Sequence, residues 1–312
     1  IYVFLLSVLN VFIVYLIARN ITKSLVLKIT IVALSLFSGI QSLLFLSALS
    51  EPIFVFLWLA TIYLLMRFFE IKKENYIFLL IGTMSMLPIS RYVGIWLNLS
   101  FMFILLLFVF SDHKRRYSVK FIIVSLILAW VPIFTYLIKN KLTDVSIFGL
   151  LDIQLNNITI NDAFIRILKT SFEDLKIPFI GGLLIGTLIT WCKKMRNVLI
   201  ISLTPSLIYF MGLAISQTKY LKDEHFPSRF SSVSYPELLL AAVAIGSFLS
   251  WKYPSIKKVN TFIVSLVIIF FGYQISISAQ RLNTELQSKY MWIPYIENSQ
   301  DLRRLCRGKT KN

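Results

Sequence analysis

The sequence predicts an all-α fold: a polytopic bundle of ten transmembrane helices. Three observations carry that expectation. The chain is 57% hydrophobic with a mean hydropathy of +0.76, above the roughly 45–50% apolar content of soluble domains. Charged residues make up 15% and lie in clusters. Between the clusters, run after run approaches the roughly 20 apolar residues that cross a bilayer as a helix. Lipid leaves no water for an unpaired backbone group, so helices or closed barrels are required. The runs lack the alternation of barrel strands.

Taken in order, the candidate spans are 1–18, 29–49, 52–68, 76–90, 93–110, 119–138, 178–192, 198–216, 234–250 and 260–277. Several are short for a bilayer, which implies tilt or extension by flanking polar residues. Pro132, Pro205 and Pro236 fall inside spans or near their ends and predict kinks or re-entrant ends there. The transmembrane domain covers 1–277, and 278–312 forms a C-terminal tail expected outside the cell. Between the sixth and seventh spans, 139–177 is read as an outer segment. Within it "NDAFIRILKTSFEDLKIPF" puts Phe164, Ile167, Leu168 and Phe172 near one face and Asp162, Arg166, Lys169 and Glu173 on the other. That pattern predicts an amphipathic interfacial helix on the outer leaflet, capped by Asn161 or Asp162. A connecting loop packed on the bundle is the alternative.

The short loops fix an orientation. "RNITKSLVLK", "RFFEIKKEN", "DHKRRYSVK", "KKMRN" and "WKYPSIKK" each carry three or four Lys or Arg, whereas "SEP" carries none, "SRY" one and "SQTKYLKDEHFPSRFS" three. Basic loops stay in the cytoplasm. The net charge of +17 follows from those loops, and nucleic acid is not needed to explain it. Cys192 abuts a basic loop and Cys306 lies in the tail, which argues against a disulfide framework. The chain opens at Ile1 inside an apolar run, without initiator Met or leader pattern, so we expect the natural N-terminus to lie upstream.

With this orientation Glu51, Arg91, 139–177 and "KDEHFPSRF" (222–230) all arrive at the outer side. Each has an ordinary reading. Glu51 and Pro52 suit the first turn of a helix, and Arg91 and Arg229 can snorkel to headgroups. Their convergence suggests more. Ionisable groups near membrane segments are costly and are functional candidates. An outer cleft of Glu51, Arg91, His225 and Arg229 would bind an anionic lipid headgroup, with Arg supplying forked donors to phosphate oxygens. His225, beside Glu224, is a candidate acid–base or metal group. No HExxH, paired His or Cys cluster surrounds it, so no metal site is assigned. His113 sits in a basic inner loop, and "GGLLIG" (181–186) suits close helix packing. P-loop and GxGxxG patterns are absent from the sequence.

The stretch "LSALSEPIFVFLWLATIYLLMRF", followed after a short basic loop by "IFLLIGTMSMLPISRYVGIWL", resembles the middle of polytopic glycosyltransferases of the GT-C class, in the superfamily of protein mannosyltransferases and aminoarabinose transferases. The matching residues are Ser50, Glu51, Pro52, Ile53 and Phe54, then Gly82 and Arg91-Tyr92-Val93-Gly94. "HFPSRFSSVSYPELLLAAVAIG" is similar to a late segment of the class through Arg229, Phe230, Tyr235 and Pro236. Phe230 stands in place of the usual Tyr there, and Glu237 follows Pro236. The resemblance covers roughly 1–275.

It implies sugar transfer from a polyprenyl-phosphate-linked donor at the extracytoplasmic face of a bacterial or archaeal cell membrane, within the lipid bilayer. It assigns Arg91, Tyr92, Arg229 and Glu51 to the lipid phosphate, and Glu51 and His225 as assisting groups. The catalytic acid of the class sits in a first outer loop, which places it upstream of Ile1. Some members use a divalent metal. A carboxylate would activate the acceptor hydroxyl and cations would stabilise the departing phosphate. The rival reading is a secondary transporter or flippase of a lipid-linked or anionic substrate. Such proteins often show inverted repeats, and the halves 1–150 and 151–312 show none.

Overall fold

The computed structural model describes residues 2–36, 51–71, 74–91, 94–111, 119–142, 159–220 and 235–253, with a few single positions between 265 and 280. Among the described residues all regular structure is helical: α1 (Tyr2–Ile21), α2 (Leu25–Leu36), α3 (Glu51–Ile71), α4 (Glu74–Ser90), α5 (Gly94–Ser111), α6 (Val119–Leu142), α7 (Ile160–Thr187), α8 (Lys193–Tyr220) and α9 (Tyr235–Lys252). Of the tenth expected span and the tail only those single positions are described. Pro52–Ile71 and Lys193–Ile215 are long and apolar enough to cross a membrane by length and composition.

Two groups of helices make the bundle. α3, α4, α5 and α6 pack together through α4, and α2, α7 and α8 pack around α9. α1 joins the groups by lying on α2 and α3, and α8 does so by lying on α3 and α5. α9 is the most enclosed element, with Glu237, Ala241, Ala242, Val243, Ala244 and Gly246 all buried. A helix apolar on every side has no solvated stripe and belongs at a centre.

Small residues let α7 approach it. A Cβ added to Gly182 would stand 2.9 Å from the Ala242 methyl, one on Gly186 would strike the Val243 carbonyl, and one on Gly246 would strike that of Leu183. The expected packing role of "GGLLIG" is thus what its glycines do. Polar side chains add interhelical bonds: Asn10 Nδ2 donates to the Pro52 carbonyl (3.2 Å), Thr61 Oγ1 to Thr83 Oγ1 (3.1 Å) and Ser247 Oγ to the Ile189 carbonyl (2.9 Å).

Three sequence expectations need correction. The amphipathic stretch from 160 is not a separate interfacial helix. α7 runs without a break from Ile160 through Pro178 to Thr187, so the amphipathic stretch and the apolar run share one axis. Ala163 and Ile167 on its amphipathic turns are buried while Leu168 is exposed, which rotates the packed face from the one expected. The cap is Thr159, not Asn161 or Asp162. Its extended backbone (φ −69°, ψ 154°) lets Oγ1 accept from the Asp162 amide at 3.1 Å and donate to Asp162 Oδ2 at 2.6 Å. An N-cap must precede the first helical turn, and both predicted residues lie inside it. Finally, "KKMRN" is not a loop but the first turn of α8. There Lys194 Nζ meets Glu70 Oε1 of α3 at 2.5 Å, and Arg67 Nη1 meets Glu70 Oε2 at 3.1 Å.

The proline expectations resolve differently. Pro132 and Pro205 sit within α6 and α8, and Pro88, unremarked in the sequence, within α4. Pro236 occupies the first turn of α9, where its missing N–H costs nothing.

Candidate functional site: a buried carboxyl among aromatic side chains

The centre of polar interest is Glu237. It stands in the first turn of α9 and is only 1% exposed. Ser206 Oγ, on α8 and fully buried, donates to Glu237 Oε2 at 2.9 Å. Oε1 of the same carboxyl has no hydrogen-bond partner. The Trp58 indole N–H, on α3, is the other hydrogen-bonding group at this carboxyl.

Helical spacing explains who meets there. Ser206 and Tyr209 are three apart and share one face of α8, and Phe54 and Trp58 are four apart on α3. Their rings form a cluster: Trp58 to Tyr209 at 4.9 Å between centroids, Phe54 to Trp58 at 5.8 Å and Phe54 to Tyr209 at 6.3 Å. Tyr235, two residues before Glu237, is also buried.

An acidic residue in a first helical turn can simply complement the helix dipole. Glu237 does not cap the helix through hydrogen bonds, because Ser206 takes one oxygen and no backbone N–H takes the other. A buried acceptor left open costs about 1–3 kcal/mol, which packing alone does not require. Chemically the group can accept a proton or a hydroxyl hydrogen bond.

Of the residues singled out in the sequence, Arg91 and the backbone of Glu51 are described. Glu51 opens α3, and its neighbour Pro52 is buried. Arg91 is half-buried at the turn between α4 and α5, where its N–H donates to the Leu87 carbonyl (3.1 Å) and its carbonyl accepts from Gly94 N (2.8 Å). Glycine is required at 94, since a Cβ would overlap the Leu87 carbonyl. Tyr92, His225 and Arg229 lie outside the described residues. Among the described residues no three His, Cys, Asp or Glu side chains group to hold a metal ion, and Glu237 offers a lone carboxyl.

Sequence reasoning missed Glu237, noting it only as a departure from a motif. A usable signal was there: one carboxylate two positions into an otherwise apolar run, 235–250.

Comparison with protein-family models, with curated proteins and with solved structures gives no match to this chain.

Proposed function

We propose that the chain is a multi-pass membrane glycosyltransferase that moves a sugar from a polyprenyl-phosphate-linked donor to an extracytoplasmic acceptor. Its surface supports the membrane setting. Large apolar side chains are exposed along α1, α5, α6 and α8, among them Phe12, Phe103, Phe110, Ile127, Phe134 and Met211, more than a soluble monomer leaves in water. One end of the bundle carries Trp191, Trp251 and Tyr253 together with Lys193, Lys194 and Lys252, the mixture of aromatic and basic residues typical of a cytoplasmic membrane interface.

The observation that carries the transfer reading is the meeting of Trp58 with Glu237. Trp58 lies on the helix that opens with Glu51-Pro52, and Glu237 on the one that opens with Tyr235-Pro236. Both openings belong to the stretches that resemble the GT-C class. In this reading Arg91, Tyr92 and Arg229 hold the donor phosphate, Glu51 orients an arginine, and His225 assists. The acceptor oxygen bonds to the anomeric carbon as the carbon–oxygen bond to phosphate breaks. The acceptor proton passes to a carboxylate, and the bonding electrons leave with the polyprenyl phosphate. The test is turnover of polyprenyl-phosphate sugars by the full-length protein in liposomes, read as free polyprenyl phosphate and glycosylated acceptor.

A second reading, a secondary transporter or flippase, is favoured by the same carboxyl, since buried acids inside bundles serve proton or ion coupling. Movement of an intact lipid-linked or anionic substrate across the liposome membrane without turnover selects it.

A further inference from the structure

We infer that a cavity between the end of α3 and the start of α8 binds an anionic phosphate headgroup. The cavity holds about 210 Å³ and is lined by Met66, Phe69 and Glu70 of α3 and by Lys193, Lys194 and Asn197 of α8. Helical spacing sets the lining. Positions 66, 69 and 70 share one face of α3, and 193 and 197 share one face of α8. The two faces meet where these helices pack.

The charges in the cavity do not cancel. Glu70 is engaged on both oxygens, by Lys194 Nζ on Oε1 at 2.5 Å and by Arg67 Nη1 on Oε2 at 3.1 Å. These side chains are between 28% and 35% exposed, so salt screens them less than free surface charges. Lys193 is left without an ion-pair partner among the described residues, and the Asn197 side chain without a hydrogen bond. Lys193 brings a charge with its donors, and the Asn197 amide brings further donors. Phosphate oxygens are the acceptors that match them. A cation would meet Lys193 and a carboxylate already taken.

Two sources supply a phosphate, a lipid headgroup or the free ion, and the rest of the wall favours the lipid. Met66 and Phe69 are apolar, and Phe69 stacks on Phe108 at 3.8 Å between centroids, which holds that wall in place. A lipid can lay its chain along the apolar wall and its phosphate against the basic one. Basic pockets between membrane helices hold headgroups in this way. Glu51 and Glu70 stand near opposite ends of α3, about 28 Å apart along its axis at 1.5 Å per residue. The cavity is therefore separate from the donor-phosphate site placed above at the Glu51 end. The lipid source rests on the membrane setting proposed above, and the phosphate site itself does not.

The full chain in neutral detergent, titrated with phosphatidylglycerol and read by native mass spectrometry, tests this. Phosphatidylcholine and inorganic phosphate, the latter followed by phosphorus NMR, are the comparisons. We expect one tightly held phosphatidylglycerol, and phosphatidylcholine about tenfold weaker because its choline sets a cation beside Lys193. Lys193→Ala should weaken phosphatidylglycerol binding about tenfold. Arg196→Ala removes the same charge from an exposed position outside the cavity and should weaken it about twofold at most. Inorganic phosphate that binds with the same response to the two variants, where the lipid does not, keeps the phosphate site and rejects the lipid as its source. Equal losses in the two variants reduce the cavity to a diffuse basic turn and overturn the inference, as does equal binding of phosphatidylcholine. Headgroup binding that persists in a protein turning over no polyprenyl-phosphate sugar leaves this site standing and ends the transfer reading.

Discussion

Ser206 and Glu237 join α8 to α9 by a 2.9 Å hydrogen bond between two side chains that solvent does not reach. Polar bonds of this kind between membrane helices are worth about 0.6 to 2 kcal/mol. Ser206→Ala should therefore lower stability by about that amount in thermal or denaturant unfolding in detergent. The double variant Ser206→Ala/Glu237→Leu should behave differently. It removes both partners of the bond together with the open acceptor, and replacing both partners by apolar groups of similar shape can be nearly neutral or stabilising. We expect its stability to equal or exceed that of Ser206→Ala while turnover is lost. Wild-type turnover in the double variant would reduce Glu237 to a structural group.

Glycines on α9 and α4 separate packing from propensity. Gly246→Ala should be destabilising by about 1–3 kcal/mol, as overpacking is, because the new methyl would meet Gly186 Cα at 3.0 Å and overlap the Leu183 carbonyl. Gly82→Ala meets nothing within 4 Å. It should stabilise α4 by about 0.5–1 kcal/mol through helix propensity alone. Opposite signs in a thermal-shift comparison are the expected outcome, and equal losses would contradict the α7–α9 packing.

Cys192 reports topology without an added probe on its side. It is free and exposed beside Lys193 and Lys194, at the end read as cytoplasmic. With Cys306 replaced by Ser, an impermeant maleimide applied to intact cells should label Asn156→Cys and leave Cys192 unmodified until the membrane is opened. Labelling of Cys192 but not of position 156 would invert the orientation.

Much of the fold was legible because hydropathy reports the cost of exposing a run to water. Every described helix overlaps an expected span, and Glu51-Pro52 opens α3 as its residue types predict. Hydropathy does not report helix continuity. In α7 an amphipathic half and an apolar half share one axis, and the change of environment along it was read as a change of element. Lys193, Lys194 and Arg196 were read as loop because of their charge, yet they lie in the first turn of α8. Glu237 was illegible for another reason. Its burial depends on Ser206 and Trp58, 31 and 179 positions away along the chain (237 − 206; 237 − 58), and no local pattern encodes those partners. For Arg91 the turn was foreseen, though not the Gly94 contact that shapes it.

Turnover in arginine variants tests the transfer account most directly. Charge-assisted hydrogen bonds to phosphate are worth roughly 1.5–3 kcal/mol each. Arg91→Ala and Arg229→Ala in the full-length protein, both eluting as wild type on size exclusion, should each lose about tenfold or more in polyprenyl-phosphate-sugar turnover. Arg229→Lys should recover only part, since it keeps the charge and loses the planar fork. Wild-type turnover in both alanine variants would contradict the phosphate clamp and return Arg91 and Arg229 to headgroup snorkelling.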